Sequence, residues 1–172
     1  MAETRTLLLL RHAKSSWADP AADDFDRPLN ARGRGALRAI AGELARAPPP
    51  ALVLCSAARR TRETLDGVAA ALAGQPEIRI EPALYLADAA TLERTVRDLP
   101  DAARCVLLVG HNPGLHELAE GLCGRGDSRL RRRLADKFPT GALAVIAFDG
   151  GWEQAVAGAG RLVEFVTPRD LA

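Results

Sequence analysis

Four consecutive leucines at positions 7–10, followed by Arg11 and His12, constrain this chain more than any other segment. A short apolar run that ends in a polar break is typical of a strand buried on both faces, as in the parallel sheets of α/β proteins. In open α/β sheets, ligands bind at the carboxyl ends of the strands. The sequence therefore predicts that Arg11 and His12 stand at a binding edge.

A second apolar run, residues 107–109, leads through Gly110 into His111, although the chain has only 3 histidines in all. Arginine offers planar, bidentate donors that suit phosphate oxygens. Histidine offers a ring nitrogen that is neutral near pH 7 and can act as a nucleophile or a base. Two strand ends that carry these side chains indicate phosphate chemistry.

Length and composition favour a single domain over residues 1–172. A chain of this size buries roughly two thirds of its unfolded surface, so it needs no disulfide or metal to fold. The net charge of +1 gives no reason to expect nucleic acid or an anionic membrane as partner. The amino-terminal apolar run is too short for a signal peptide, and no run approaches the ~20 residues of a membrane span. Cytoplasmic localisation with reduced thiols is the expectation.

Strand and helix patterns alternate along the chain, which predicts an α/β sandwich with a mostly parallel sheet. We expect strands at residues 6–11, 52–56, 78–80, 105–110, 142–148 and 161–166. We expect helices at residues 31–47, 59–72, 91–99 and 113–123, the first of them capped by Asn30. Short glycine turns join the late strands, which we expect to add antiparallel edges to the sheet.

Several motifs together resemble the histidine phosphatase superfamily. Residues 10–13 resemble its Arg-His signature, and residues 11–17 are similar to SixA-type phosphohistidine phosphatases. Three further segments, 26–33, 110–114 and 138–142, follow in the order of that group. The resemblance implies a three-layer sandwich of phosphoglycerate mutase-like fold. It also implies a phosphatase. The sequence contains no P-loop, no glycine-rich dinucleotide motif and no His-Glu-x-x-His helix, so we expect the reaction to be metal-independent and to need no cofactor.

The resemblance gives His12 the role of nucleophile, which forms a phosphohistidine intermediate on one ring nitrogen. The other ring nitrogen must then be held as N–H, and we expect a backbone carbonyl to do so. Arg11 would bind the phosphoryl oxygens. Arg60 matches the Ser-x-x-x-Arg pattern of the family at a predicted helix start, where backbone amides also favour anions. Arg59 is the alternative if the register is shifted by one residue.

His111 is expected to be protonated and to stabilise charge that develops in the transition state. In the same motif, Asn112 would cap the following helix, with Pro113 at its first position. His116 is interpreted as a packing or surface residue. Because the histidines show no ligand spacing, a metal site is not predicted.

Departures from the family pattern leave some roles open. Ala13 stands where glycine is usual, which is harmless if the backbone there has negative φ. No carboxylate aligns as general acid; Asp19 and Glu81 are the named candidates, with Asp24 and Asp88 also considered. An imidazole leaving group, with a pKa near ~6.5, needs such an acid less than an alkoxide does. The missing acid therefore favours a phosphoramidate substrate.

Other residues allow two interpretations each. Ser15 could donate its hydroxyl to phosphate or cap the loop, and Arg27 could pair with the acidic loop or contact substrate. Cys55 precedes the predicted phosphate pocket, but only four residues separate it from Arg60, whereas a cysteine phosphatase needs five. Residues 125–137 carry six basic side chains, either on a solvated helix face or on a rim that attracts a phosphorylated partner.

The sequence thus predicts a phosphatase that acts through phospho-His12, with phosphohistidine on a protein as the first substrate hypothesis. A small phosphomonoester, such as a sugar or nucleotide phosphate, is the first alternative. A phosphate-binding sensor without turnover is the second. The partner in each case is a phosphorylated protein or small molecule, not nucleic acid or membrane.

Overall fold

The computed structural model describes residues 3–172, which form seven strands and five α-helices. The strands are β1 (Thr4–Arg11), β2 (Leu52–Ser56), β3 (Glu77–Glu81), β4 (Cys105–Gly110), β5 (Cys123–Gly126), β6 (Leu143–Asp149) and β7 (Gly160–Val166). The helices are α1 (Ala31–Arg46), α2 (Arg59–Val68), α3 (Ala89–Arg97), α4 (Gly114–Leu122) and α5 (Ser128–Asp136). Single 3-10 turns lie at Asp24–Asp26, Ala69–Ala71, Pro82–Leu84 and Trp152–Gln154.

All seven strands belong to one sheet in the order β3-β2-β4-β1-β6-β7-β5. The first four of these strands run parallel to one another, whereas β6 is antiparallel to β1 and β7 is antiparallel to β6. The predicted α/β fold, with a parallel core and antiparallel late strands, is confirmed.

Two hydrophobic cores cover the two faces of the sheet. Leu7 and Leu9 face the core that contains the apolar residues of α3, α4 and α5. Leu8 and Leu10 face the core that contains those of α1 and α2. All four leucines are 0% exposed, and each full burial contributes about 2 kcal/mol to folding. The leucine run is therefore the strand that joins the two outer layers of the sandwich.

The region after α4 differs from the prediction. β5 and its parallel pairing with β7 were not predicted, because a Cys-Gly-Arg-Gly segment carries no strand pattern. The basic segment 125–137 contains α5, which Asp127 caps by accepting hydrogen bonds from the amides of Arg129 and Leu130. The predicted helix over 59–72 ends instead at Val68 and continues as a 3-10 turn.

Helix capping agrees with the sequence at α1 but not at α4. The Asn30 side chain accepts a hydrogen bond from the Gly33 amide, as expected. Asn112 does not cap α4; its Nδ2 donates to the Phe138 carbonyl at 2.8 Å, and Pro113 occupies the cap position. The asparagine side chain thus joins β4 to the segment before β6. No helix within residues 3–172 has the length and apolar character needed to cross a bilayer.

Candidate active site

Strand register brings the two predicted histidines together. β1 and β4 are neighbours, and Arg11 is paired with Gly110, so the next residue on each strand is a histidine. The His12 amide donates to the Gly110 carbonyl at 3.2 Å, which extends the pairing by one step. The two ring centroids lie 5.4 Å apart. Both side chains thus occupy the carboxyl edge of the parallel strands.

His12 is held in one tautomer. Its Nδ1 lies 2.7 Å from the carbonyl oxygen of Ala13. Because a carbonyl only accepts hydrogen bonds, Nδ1 carries the proton and Nε2 keeps its lone pair. Burial lowers the His12 pKa to about 3, against the opposing hydrogen bond with the Ala13 carbonyl, and the positive charges of Arg11 and Arg60 lower it further. The imidazole is therefore neutral at physiological pH.

His111 contacts a serine that the sequence analysis did not single out as a site residue. Its Nε2 lies 2.7 Å from Ser56 Oγ, and Ser56 is 0% exposed at the end of β2. Ser56 Oγ accepts from the Ala58 amide, so its own proton is available for Nε2. In that arrangement the His111 proton is on Nδ1.

The expected protonation of His111 does not hold in the free site. Burial lowers its pKa to about 4, and the charge of Arg60 lowers it further against the opposing effect of Asp24. His111 is therefore neutral at pH 7. A neutral imidazole still donates one N–H, which lets it stabilise a developing negative charge by hydrogen bonding.

Two buried arginines flank the histidines. Arg60, 3% exposed at the start of α2, donates from Nη1 to the Asp24 carbonyl at 2.6 Å. Its Nη2 donates to the Asp24 carboxylate at 3.0 Å. Arg11 donates from Nη1 to the Phe138 carbonyl at 3.1 Å. Burial lowers the Arg11 pKa, and the charge of Arg60 lowers it further. Two positive charges at one site repel each other, and an anion bound between them would relieve that repulsion.

Unsatisfied polar atoms concentrate at this place. Within residues 3–172, six buried side-chain nitrogen or oxygen atoms have no hydrogen-bond partner. Two belong to Arg5, and the other four are Arg11 Nε, Arg60 Nε, His111 Nδ1 and Asn112 Oδ1. Buried polar groups in native proteins are nearly always paired, so such a cluster marks a place where a ligand supplies the partners.

The residues around the last four of these atoms enclose a cavity of about 410 Å³. It is lined by Arg11, His12, Lys14, Ser15, Trp17, Asp24, Arg27, Arg60, Leu86, His111, Asn112 and Thr140. Four of these side chains are cationic and one is a carboxylate, which makes the cavity a receptor for an anion. The four residues with the strongest predicted roles, Arg11, His12, Arg60 and His111, all lie in it.

Asp24 is the one carboxylate among the lining residues. Its Oδ2 accepts from Arg60 and from the Tyr85 hydroxyl, and its Oδ1 accepts from Arg27 at 3.1 Å. Burial raises the Asp24 pKa, but the Tyr85 hydrogen bond and the two arginines outweigh this and bring it to about 2. Asp24 is therefore ionised at neutral pH and is not a ready proton donor. Tyr85 was missed because no local pattern connects it to position 24.

Ser15 and Arg27 reach the cavity together. Arg27 Nη1 donates to Ser15 Oγ at 2.7 Å, so this serine is fixed against the arginine. Arg27 also forms a salt bridge with Asp24 at 3.0 Å. The alternatives weighed for Arg27 are thus both available, since it pairs with the acidic loop and lines the cavity.

The two named acid candidates lie elsewhere. Asp19 is exposed and accepts from the Ala21 amide within its own loop. Glu81 ends β3 and lines a different cavity, beside Leu84 and Thr95. Asp88 caps α3 by accepting from the Thr91 amide. The structure brings none of the three into the lining of the site.

Two further candidates are also accounted for. Cys55 is 0% exposed and belongs to the core beneath α1 and α2, and burial raises its pKa to about 12. A thiol in that state is not a nucleophile. His116 Nε2 contacts the Leu134 carbonyl at 2.6 Å, which ties α4 to α5. Among residues 3–172, no group of three or more His, Cys, Asp or Glu is placed to hold a metal ion.

The loop after His12 is pinned from two sides. The Ala13 amide donates to Thr64 Oγ1 at 3.0 Å, and Ala13 has negative φ, which explains why alanine replaces glycine here without strain. The Asn30 amide donates to the Lys14 carbonyl at 3.0 Å. Gly33 approaches that same carbonyl so closely that a β-carbon would lie 2.1 Å from it. These contacts hold the residues on either side of the Ala13 carbonyl, which orients the His12 ring.

Comparisons with known proteins agree with this geometry. The model of the histidine phosphatase superfamily (branch 1) matches residues 7–93, half of the chain. An uncharacterized protein of Mycobacterium leprae (strain TN) is 36% identical over 169 residues, which cover 93% of this chain and 100% of the relative. A second uncharacterized protein, of Mycobacterium tuberculosis (strain ATCC 25618 / H37Rv), is 38% identical over 167 residues, with the same coverage.

Two solved structures are similar over nearly their whole length. One, from Nakamurella multipartitia, is assigned as the phosphohistidine phosphatase SixA; it is 29% identical with a TM-score of 0.84, covering 97% of this chain and 98% of that one. The other, from Agrobacterium tumefaciens, has the same assignment; it is 33% identical with a TM-score of 0.81, covering 95% and 98%. The chain therefore belongs to the histidine phosphatase superfamily, in its SixA-type group, and is a phosphatase.

Proposed function

We propose that this phosphatase removes the phosphoryl group from phosphohistidine on a protein, through a phospho-His12 intermediate and without a metal ion. The observation that carries the proposal is the fixed tautomer of His12. The 2.7 Å contact of Nδ1 with the Ala13 carbonyl leaves Nε2 unprotonated beside two arginines. A neutral nitrogen lone pair next to phosphate-binding groups is what a nucleophilic phosphatase requires.

In the first step, His12 Nε2 forms a bond to phosphorus while the phosphorus–nitrogen bond of the substrate breaks. The electron pair stays on the substrate imidazole, which leaves as the neutral ring because its other nitrogen already carries a proton. In the second step, water attacks phosphorus and the bond to His12 Nε2 breaks. Inorganic phosphate and a proton are released, and His12 returns to its starting state.

Arg11, Arg60 and His111 bind the transferred group. The unpaired Nε atoms of the two arginines and Nδ1 of His111 supply N–H donors around the phosphoryl oxygens. These fixed positive charges and dipoles stabilise the negative charge that develops in transfer. They provide what a divalent cation supplies in other phosphoryl-transfer enzymes, which supports a metal-independent reaction.

The state of Asp24 supports a phosphoramidate substrate. Asp24 is the carboxylate in the cavity lining, and with a pKa of about 2 it holds no proton to give an alkoxide. An imidazole leaving group, with a pKa near ~6.5, departs without that help. The assignments of the two solved relatives as SixA phosphohistidine phosphatases also support this substrate class.

We further propose that the chain acts as one domain in the cytoplasm. A single sheet shared by both hydrophobic cores supports one domain. The three cysteines are free and buried, which supports a reducing compartment.

The test is a side-by-side measurement of kcat/KM on a phosphohistidine protein, a phosphotyrosine peptide and a panel of sugar phosphates. We expect the phosphohistidine protein to be the best of the three. A sugar phosphate that wins by about an order of magnitude or more would make the enzyme a phosphatase of small phosphomonoesters, because leaving-group protonation would then be provided.

A further inference from the structure

Two exposed apolar side chains, Trp17 and Leu86, line the cavity that contains His12. Trp17 is 77% exposed and Leu86 is 52% exposed. Exposed side chains that line a cavity lie where it opens to solvent, so these two residues form its mouth. Other exposed large hydrophobic residues, such as Ile78 and Val163, lie outside the cavity.

Trp17 is held in place although it is exposed. The guanidinium carbon of Arg27 lies 3.5 Å from the centre of the Trp17 ring, a cation–π contact. Arg27 is itself 7% exposed and is fixed by Asp24 and Ser15. An indole ring that packs on a buried, hydrogen-bonded arginine loses less conformational freedom when a ligand binds than an unsupported side chain would.

Leu86 has an unusual backbone conformation. Its φ is 51°, and within residues 3–172 the one other non-glycine residue with positive φ is Gln75, which follows Gly74 in a turn. Leucine disfavours this region, and strained residues cluster at functional sites, where the surrounding structure holds them. The conformation exposes an apolar side chain to solvent at the cavity mouth. Burial of that side chain against a ligand would offset both the backbone strain and the unfavourable exposure.

We propose that Trp17 and Leu86 form an apolar clamp for the leaving-group side of the substrate. That substrate is a phosphohistidine flanked by apolar residues in a polypeptide. The proposal rests on the function proposed above and names the substrate class more closely. The cationic floor formed by Arg11 and Arg60 takes the phosphoryl group. The imidazole ring and the adjoining side chains then pass between the two apolar residues.

The chemistry of the mouth discriminates between substrates. An imidazole ring and aliphatic side chains gain free energy when they are removed from water against an indole and a leucine. A sugar would instead lose hydration of its hydroxyl groups against the same surfaces. The floor and the mouth together match a substrate that is anionic at one end and apolar at the other.

The experiment compares two substrates that share a phosphorus–nitrogen bond. One is a phosphohistidine peptide with leucine neighbours, and the other is inorganic phosphoramidate, which has no ring or side chain to contact the mouth. The measured quantity is the ratio of kcat/KM for the peptide to that for phosphoramidate. In Trp17→Ala and Leu86→Gly we expect this ratio to fall by about tenfold and about fivefold, mainly through KM of the peptide.

Two further variants separate clamping from structural damage. Trp17→Phe keeps an aromatic ring over Arg27 and should restore most of the ratio. Val163→Ala removes an exposed apolar side chain that lines a different groove, and its ratio should equal that of the wild type. Leu86→Gly relieves the positive φ, so its melting temperature should not fall, and a lost ratio cannot then be ascribed to unfolding.

The outcomes are distinct for each proposal. The clamp is overturned if the ratio stays within about twofold of the wild type in both Trp17→Ala and Leu86→Gly, because burial at the mouth would then contribute nothing to binding. The proposed function still stands in that case, provided that the wild type hydrolyses the phosphohistidine peptide. Replacing the leucine neighbours by serine should also lower the wild-type kcat/KM. If the wild type does not hydrolyse the peptide at all, both proposals fall.

Discussion

The imidazole rings of His12 and His111 lie 5.4 Å apart because the residues before them, Arg11 and Gly110, are paired in the register of β1 and β4. The separation is therefore set by the backbone of two buried strands rather than by a flexible loop. Sites built on such rigid elements hold reacting groups more precisely than loops do. One ring is fixed by the Ala13 carbonyl and the other contacts the Ser56 hydroxyl.

Replacing His12 by alanine should abolish turnover of p-nitrophenyl phosphate, because the other imidazole of the cavity, His111, has its Nε2 in a hydrogen bond with Ser56 and offers no free lone pair. Acid-quenched experiments on the wild type would be misleading, so the quench should be alkaline. The trapped enzyme should carry an acid-labile, base-stable phosphoryl group on His12. Cys55→Ala should retain the label, and a label found on Cys55 or on a serine would refute the mechanism.

Exhaustive chelation should leave most of the activity intact. Arg11, Arg60 and His111 place donors around the phosphoryl oxygens, and residues 3–172 hold no cluster suited to a metal ion. The measurement is kcat/KM before and after treatment with a chelator, followed by re-addition of single divalent ions. A large loss of kcat/KM that one divalent ion restores would show that a metal supplies the positive charge that stabilises the phosphoryl oxygens.

His111→Ala should reduce kcat by about a hundredfold with little change in KM, since an N–H aimed at developing charge acts chiefly in the transition state. Arg60→Ala should raise KM as well, because Arg60 also binds the ground-state phosphate. His116→Ala, a histidine outside the cavity, serves as the control. Losses confined to KM in both variants would contradict the assigned roles.

Acid should destabilise the protein before it titrates the carboxylates. The pKa values of His12 and His111 in the folded state are about 3 and about 4, below their ordinary value of 6.5, because burial disfavours the charged form. Below about pH 6.5 the unfolded state binds protons that the native state does not. The free energy of unfolding should therefore fall as pH drops, by up to about 1.4 kcal/mol per pH unit for each histidine.

Denaturant unfolding between about pH 7 and about pH 5 measures this slope. His12→Gln removes one of the two titrating groups and should reduce the slope toward that of His111 alone. A wild-type slope near zero across this window would show that the buried histidines keep ordinary pKa values in the folded protein.

Two glycines of α1 should respond to alanine in opposite directions. A β-carbon at Gly33 would lie 2.1 Å from the Lys14 carbonyl oxygen, whereas nothing lies within 4 Å of one at Gly35. Gly33→Ala should cost about 1–3 kcal/mol through overpacking and should also lower kcat, because it pushes on the loop that orients His12. Gly35→Ala should stabilise the helix by about 0.5–1 kcal/mol. Equal effects of the two substitutions on thermal unfolding would count against the close approach.

The sequence by itself determined the strands that carry the site. The bounds of β2 and β4 agree with the prediction to the residue, because a strand buried on both faces is a continuous apolar run with polar ends. The meeting of the two strand ends with Arg11, His12 and His111 also followed from sequence, since the carboxyl ends of parallel strands share one edge. The choice of Arg60 came from the family resemblance.

Only the tertiary structure decided which groups complete the site. Asp24 pairs with Arg60 across 36 positions and with Tyr85 across 61, and neither partner is marked by a local pattern. Asn112, which looked like a helix cap, donates instead to Phe138. The charge of His111 was likewise set by burial beside Arg60 and not by its motif. Periodicity encodes which face of an element is buried, whereas hydrogen-bond partners and pKa values depend on distances that exist only once the layers have packed.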